Sequence, residues 1–168
     1  GVRCVNATCP NVLHIQELVS QAEQEGRQAV IIGERHHPEV MGLASWCTHP
    51  LVFQTPQEVE DWLQSGAFDP ETPVTVVAQT TCIRELFESS CKIIKKQCTN
   101  AKIFDTICFA TRKRQAEAAE IAARADAMVV VGDRRSANTQ HLAEICRQNC
   151  SRVLQIESAD ELSTAEFA

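Results

Sequence analysis

No stretch of the chain approaches the roughly 18 consecutive apolar residues that a membrane span needs. The opening Gly1-Val-Arg-Cys4 has no signal-peptide anatomy either. A membrane protein is set aside on that ground, and a soluble protein of the cytoplasm is expected. Basic excess is missing too: 16 Lys and Arg stand against 22 Asp and Glu, a net charge of −6. Duplex binding rests on an excess of Lys and Arg, so nucleic acid is not an expected partner. The nine cysteines contain no C-x-x-C pair. Odd in number and scattered, they speak against a disulfide scaffold, a zinc ribbon or a redox dithiol. There is no initiating Met and no terminal cap, so the chain is expected to be a piece of a longer protein.

What is there has ordinary globular composition: 168 residues, 44% hydrophobic and 23% charged, enough for one domain or two small ones. Seven short β-rich runs are predicted as strands: Val2 to Ala7, Ala29 to Gly33, Leu51 to Gln54, Val74 to Gln79, Lys102 to Asp105, Met128 to Gly132 and Val153 to Ile156. Between them lie segments of helical period, such as Val12, Ile15, Leu18, Val19 and Ala22. Strand and helix in alternation define βαβ units. The runs Ala29-Val-Ile-Ile32 and Met128-Val-Val-Val131 are apolar throughout, as expected of parallel strands covered on both faces. The fold class is therefore α/β.

A repeat emerges when the two Gly-terminated strands are aligned. Cys9 precedes Gly33, and Cys108 precedes Gly132, by the same 24 residues (33 − 9 and 132 − 108). Each copy reads strand, Cys, helix, strand, Gly, polar loop. The period of 99 residues (108 − 9) predicts two pseudo-repeated small parallel-sheet αβα domains, residues 1–104 and 105–168.

In both copies the Cys falls where a helix begins, so that exposed N–H groups and the helix dipole favour a negative charge such as a thiolate. The carboxyl ends of parallel strands are also where open α/β sheets bind ligands. Cys47, Cys91, Cys98 and Cys146 sit at ordinary core spacings instead. Two thiolates, Cys9 and Cys108, complete neither a zinc site nor an ordinary iron–sulfur cluster, so further ligands must come from elsewhere. A third similar domain in a ring would supply one.

The loop His36-His-Pro-Glu39 puts two imidazoles and a carboxylate at that edge, suited to proton transfer and anion binding or simply to a solvated loop. Its counterpart, Ser136-Ala-Asn138, could cap a helix or hold phosphate oxygens. The stretch Ala78-Gln-Thr-Thr81 ends another strand with two hydroxyls facing the same way.

Five motifs, in order, resemble the 4-hydroxy-3-methylbut-2-enyl diphosphate reductase family. They are Ala7-Thr-Cys-Pro10, His37-Pro-Glu-Val40 with Gly42, Gln79-Thr-Thr81, Asp105-Thr-Ile-Cys-x-Ala-Thr111 with Arg114-Gln115, and Val131-Gly-x-x-x-Ser-x-Asn-Thr139. The resemblance covers essentially the whole chain and implies three pseudo-equivalent α/β domains around a 4Fe-4S cluster, of which this chain looks like the second and third. It implies that Cys9 and Cys108 are two of three cluster ligands. By the same resemblance Glu39 belongs to a proton relay assisted by Thr80, and His37, Thr80, Ser136 and Asn138 contact the substrate, a small allylic diphosphate. A ferredoxin or flavodoxin would donate electrons, and the chain alone would be apo and inactive. Ala137 stands where the family commonly has a second Ser, so one diphosphate contact is expected to weaken. A phosphate-binding or interaction module without catalysis is the alternative reading, and a zinc-binding domain a weaker one.

Overall fold

The computed structural model describes residues 2–66 and 68–162. By their contacts these fall into two compact units, Gly1–Ile107 and Cys108–Ala168.

The first unit runs α1 (Pro10–Gln24), β1 (Gln28–Ile32), α2 (Pro38–Ala44), β2 (Leu51–Phe53), α3 (Pro56–Gln64), β3 (Val74–Ala78), α4 (Arg84–Gln97) and β4 (Ala101–Ile103). All four strands are parallel, in the order β2-β1-β3-β4. In the central pair Gln28 stands opposite Val74 and Ile32 opposite Ala78. Because side chains alternate across a strand, β1 feeds two cores. Val30 and Ile32 join Val74, Val76 and Ala78 beneath Val59, Leu63, Phe87 and Ile94 of α3 and α4. Ala29, Ile31 and Val77 lie on the other face, under Ile15, Leu18 and Val19 of α1 and Val40 and Leu43 of α2. The continuous apolar runs of β1 and β3 follow from this double cover.

Three helices of this unit begin with Pro at their first position, after Cys9, His37 and Thr55. Proline lacks the N–H that a first helical residue leaves unused, and it forces the residue before it into an extended conformation. Cys9 (ψ 134°), His37 (ψ 136°) and Thr55 (ψ 154°) accordingly become helix caps. At the opposite, amino end of the sheet the buried Arg27 guanidinium donates to Thr75 Oγ1 (2.9 Å), to the Val74 carbonyl and to the Asn100 carbonyl (2.9 Å). It ties β1 to β3 and to the turn before β4.

In the second unit α5 (Phe109–Ala122), β5 (Met128–Val131), α6 (Ala137–Asn149) and β6 (Val153–Ile156) are followed by a 3-10 turn at Ala159–Glu161. β5 and β6 pair in parallel, Met128 opposite Val153. Ala122, Cys146 and Cys150 form its buried core, with Met128, Val130 and Val153 against them.

Two expectations need correction. Val2 to Ala7 is not a strand, so the described residues hold six strands and not seven; Val2 is 94% and Val5 77% exposed. β-rich composition makes a strand only beside a hydrogen-bonding neighbour, and none of the described strands runs beside this segment. Cys9 thus begins a helix without ending a strand. Nor is β5 covered on both faces. Met128 and Val130 point into the core while Val129 and Val131 are exposed, Val131 by 66%, because the helices cover one side of the pair. No described helix is long and apolar enough to cross a membrane.

Candidate functional site

Both cysteines singled out by the repeat cap helices with nearly the same backbone: Cys9 at φ −55°, ψ 134° before α1, and Cys108 at φ −58°, ψ 137° before α5. Each carbonyl accepts the first helical hydrogen bond, from Leu13 N and Arg112 N, both at 3.0 Å. A side-chain turn precedes each, the Asn6 carboxamide accepting from Thr8 N (3.0 Å) and the Asp105 carboxylate from Ile107 N (3.3 Å). Cys9 is exposed, Cys108 is half-buried, and neither is in a disulfide. Other thiols are set in or against the cores. Burial pushes Cys82 up to about 12 and Cys91 up to about 11, and it also raises Cys47, Cys98 and Cys146. Thiols held protonated in a core are poor metal ligands, since the thiolate is the ligand.

The carboxyl edge of the first unit gathers His37, Glu39 and Thr80. Pro38 sets His37 as the cap of α2, and its Nδ1 accepts from Glu39 N (3.1 Å). An accepting Nδ1 puts the proton of the neutral ring on Nε2. Glu39, half-buried in the first turn of α2, is bound twice by a residue 41 positions away (80 − 39). Its Oε1 accepts from Thr80 N (2.6 Å) and its Oε2 from the Thr80 hydroxyl (2.6 Å). Thr80, just past the end of β3, is buried.

Sequence reasoning left one member of this group without a role. Gln79 is 0% exposed, and its carboxamide oxygen accepts from Glu34 N (2.9 Å) while its amide donates to Thr81 Oγ1 (2.9 Å). The available signal was Gly33 at a strand end, where glycine marks a close approach. A Cβ there would stand 2.7 Å from Gln79 Cβ.

Ser136 caps α6 in the second unit, accepting from Thr139 N (3.5 Å). Half-buried Asn138 follows, with a buried Oδ1 that has no hydrogen-bond partner among the described residues. An unpartnered buried oxygen is costly, and of the two ends of the carboxamide it is the Nδ2 amide from which an anionic oxygen can accept. Ala137, between them, is buried.

Among the described residues no three His, Cys, Asp or Glu side chains converge in a way that could hold a metal ion. Each unit has one unbridged thiol capping a helix N-terminus, Cys9 in the first and Cys108 in the second. Such soft donors fit iron–sulfur ligation, provided at least one more ligand comes from elsewhere.

Both units are α/β with parallel strands, and each has a helix capped by a cysteine, so the chain falls in the parallel α/β class. The chain belongs to the LytB protein family, whose model matches residues 1–168. A 4-hydroxy-3-methylbut-2-enyl diphosphate reductase of Desulfovibrio desulfuricans is 40% identical over 169 residues, covering 100% of this chain and 58% of that protein. The reductase of Clostridium acetobutylicum is 36% identical over 96% of this chain, which spans 24% of that protein. Among solved structures, one of (E)-4-hydroxy-3-methyl-but-2-enyl diphosphate reductase is 32% identical with a TM-score of 0.58, over 97% of this chain and 57% of that one. The E-1-hydroxy-2-methyl-but-2-enyl-4-diphosphate reductase of Plasmodium falciparum, at 23% identity, shares the fold with a TM-score of 0.85 over 96% of this chain and 50% of its own.

Proposed function

We propose that the chain forms two domains of an iron–sulfur-dependent reductase that removes the allylic hydroxyl of 4-hydroxy-3-methylbut-2-enyl diphosphate, giving isopentenyl and dimethylallyl diphosphate. The Glu39–Thr80 pair carries this reading. Replacing C–O by C–H takes two electrons and two protons, and the oxygen leaves as water. A positioned proton donor is what such a leaving group needs. The Thr80 hydroxyl lies against Glu39 Oε2 while Thr80 N holds Oε1. When Glu39 carries the proton, Oε2–H donates to Thr80 Oγ1 and the Thr80 hydroxyl turns its own hydrogen to the substrate oxygen, so that one proton leaves Glu39 as another reaches the departing oxygen.

The other candidate residues bind and orient. His37, with its Nδ1 occupied by Glu39 N, offers Nε2–H to a substrate oxygen. Ser136, Asn138 and the N–H groups opening α6 hold the diphosphate, which needs no basic surface because helix N-termini bind anions through backbone N–H groups. Cys9 and Cys108 would hold a 4Fe-4S cluster with a third cysteine from outside this chain, and the cluster, when bound, supplies the two electrons singly from a ferredoxin- or flavodoxin-type donor. On its own the chain is then inactive.

Glu39→Gln tests this in a family-length enzyme carrying the chain. The amide keeps the shape but cannot deliver a proton, so iron content and substrate affinity stay near wild type while kcat falls about a hundredfold or more. Unchanged turnover with a full complement of iron overturns the relay. Diphosphate binding with no turnover in the unmutated, iron-loaded protein would favour a non-catalytic binding module.

A further inference from the structure

The hydrogen bonds around Glu39 close into a ring. Gln79 Oε1 accepts from Glu34 N (2.9 Å), the Glu34 carbonyl accepts from His37 N (3.0 Å), and His37 Nδ1 accepts from Glu39 N (3.1 Å). The Glu39 carboxylate then accepts from Thr80 N (2.6 Å), and the peptide bond between Thr80 and Gln79 returns to the start. Two side chains of this ring cross between the segment after β1 and the end of β3: the Glu39 carboxylate, reaching from α2 to Thr80, and the Gln79 carboxamide, reaching from the end of β3 to Glu34 N. The remaining links join near neighbours in sequence. The geometry points to Gln79 as a positioning residue that sets the distance and angle between Glu39 and Thr80 through the Glu34–His37 turn. This rests on the reading of Glu39 and Thr80 as the proton relay.

Four observations support the assignment. The carboxamide is completely buried, where a polar group is retained only if its bonds are made. Glu34 N can only donate, which fixes the oxygen end of the carboxamide toward it and leaves the amide end for Thr81 Oγ1 (2.9 Å). The Gln79 backbone is held as well, its N donating to the Ile32 carbonyl (2.9 Å) and its carbonyl accepting from Cys82 N (3.0 Å), so the side chain projects from a fixed base. Finally, Gly33 leaves no room for a side chain against Gln79 Cβ and Oε1, at 2.7 and 2.8 Å from an added Cβ. The second unit gives the contrast: there the glycine at the same place, Gly132, faces Thr139 of its own following helix, and no strand-end carboxamide reaches the Asp133–Ser136 turn among the described residues.

Gln79→Met keeps the volume and deletes both side-chain bonds. Amide hydrogen exchange of the full 168-residue chain reads the result without any cluster. The Glu34, Glu39 and Thr80 amides exchange at least tenfold faster in the variant, while Val30 and Val76, inside the sheet, keep their rates relative to one another and to the unfolding midpoint. Val76→Ala is the structural control, in which all these amides speed up together. Gly33→Ala crowds the same joint with Gln79 intact and gives the Gln79→Met pattern, so the question is answered even where Gln79→Met fails to fold. Unaltered Glu39 and Thr80 exchange in these variants, or a uniform rise indistinguishable from Val76→Ala, overturns the proposal. In the family-length enzyme Gln79→Met lowers kcat tenfold or more with KM unchanged. Selective loss of amide protection with normal kcat upholds the positioning role and overturns the relay reading instead.

Discussion

The loops after β1 and β5 are the same backbone device carrying different side chains. In the first unit Gly33 N donates to the Phe53 carbonyl, Arg35 N to Gln54 Oε1, and the Arg35 guanidinium to Glu58. In the second, Gly132 N donates to the Ile156 carbonyl, Arg134 N to Glu157 Oε1, and the Arg134 guanidinium to Glu161. The turns match too, His37 N to the Glu34 carbonyl and Ser136 N to the Asp133 carbonyl, both at 3.0 Å. The caps differ, and so do the residues two positions on: an imidazole with a carboxylate in the first unit, a hydroxyl with a carboxamide in the second. On the proposed function the first pair moves a proton and the second binds an oxyanion, so that one backbone frame with different side chains would carry two kinds of site.

The cysteine heads of the two copies are the most sensitive place to test that equivalence. Cys9→Ser and Cys108→Ser, each in a family-length enzyme, should abolish iron binding, whereas Cys91→Ser should retain iron and cost about 1 to 2 kcal/mol of stability. Iron analysis and denaturant unfolding read both; full iron in either cap variant would break the symmetry between the copies.

Next in size is the difference between β1 and β5. Ile31→Thr places a hydroxyl in the closed core under α1 and α2 and should cost about 2 to 4 kcal/mol. Val131→Thr, on the open face of β5, should change unfolding free energy by less than about 0.5 kcal/mol. A comparable loss at both positions would mean that β5 is covered in solution by something outside the described residues.

Smallest is the effect expected at the α6 cap. Ala137→Ser adds a hydroxyl beside Ser136 and Asn138, and a charge-assisted hydrogen bond is worth about 1.5 to 3 kcal/mol before the cost of burying the new group. KM for the diphosphate should fall several-fold with kcat little changed, because ground and transition states gain the same contact. An unchanged or higher KM would show that the backbone N–H of residue 137 already fills that role.

Much of this was legible in the residues. Alternating β-rich runs and helical periods specify parallel βαβ units because both patterns follow from side-chain geometry, and the 99-residue offset between Cys9 and Cys108 is visible without coordinates. Pro10 and Pro38 announce their helix starts. Other features lay beyond a linear reading. Met128-Val-Val-Val131 looks the same whether helices cover one face or two, and Val2 to Ala7 has strand composition with no strand beside it. That Thr80 binds both oxygens of Glu39 depends on the register of β1 against β3, which places the segments after Ile32 and Ala78 side by side. Gln79 reads as one more polar residue at a strand end, since its importance lies in burial and in a bond to a backbone group 45 positions earlier (79 − 34).

Arg27 gives the amino end of the sheet a character of its own. Its hydrogen bonds end on a hydroxyl, on backbone carbonyls and on the Asn100 carboxamide, all neutral oxygens, and a guanidinium stays protonated at any pH a folded protein meets. None of these oxygens titrates; the one carboxylate that feels the guanidinium, Glu25, is held below its usual range chiefly by its hydrogen bonds from Lys102 and Gln21, with a smaller pull from Arg27. The titratable groups His37 and Glu39 are gathered at the other end of the same strands. Swings of pH therefore leave intact the hydrogen bonds that tie β1 to β3 at the base of the sheet, since every acceptor in them is neutral.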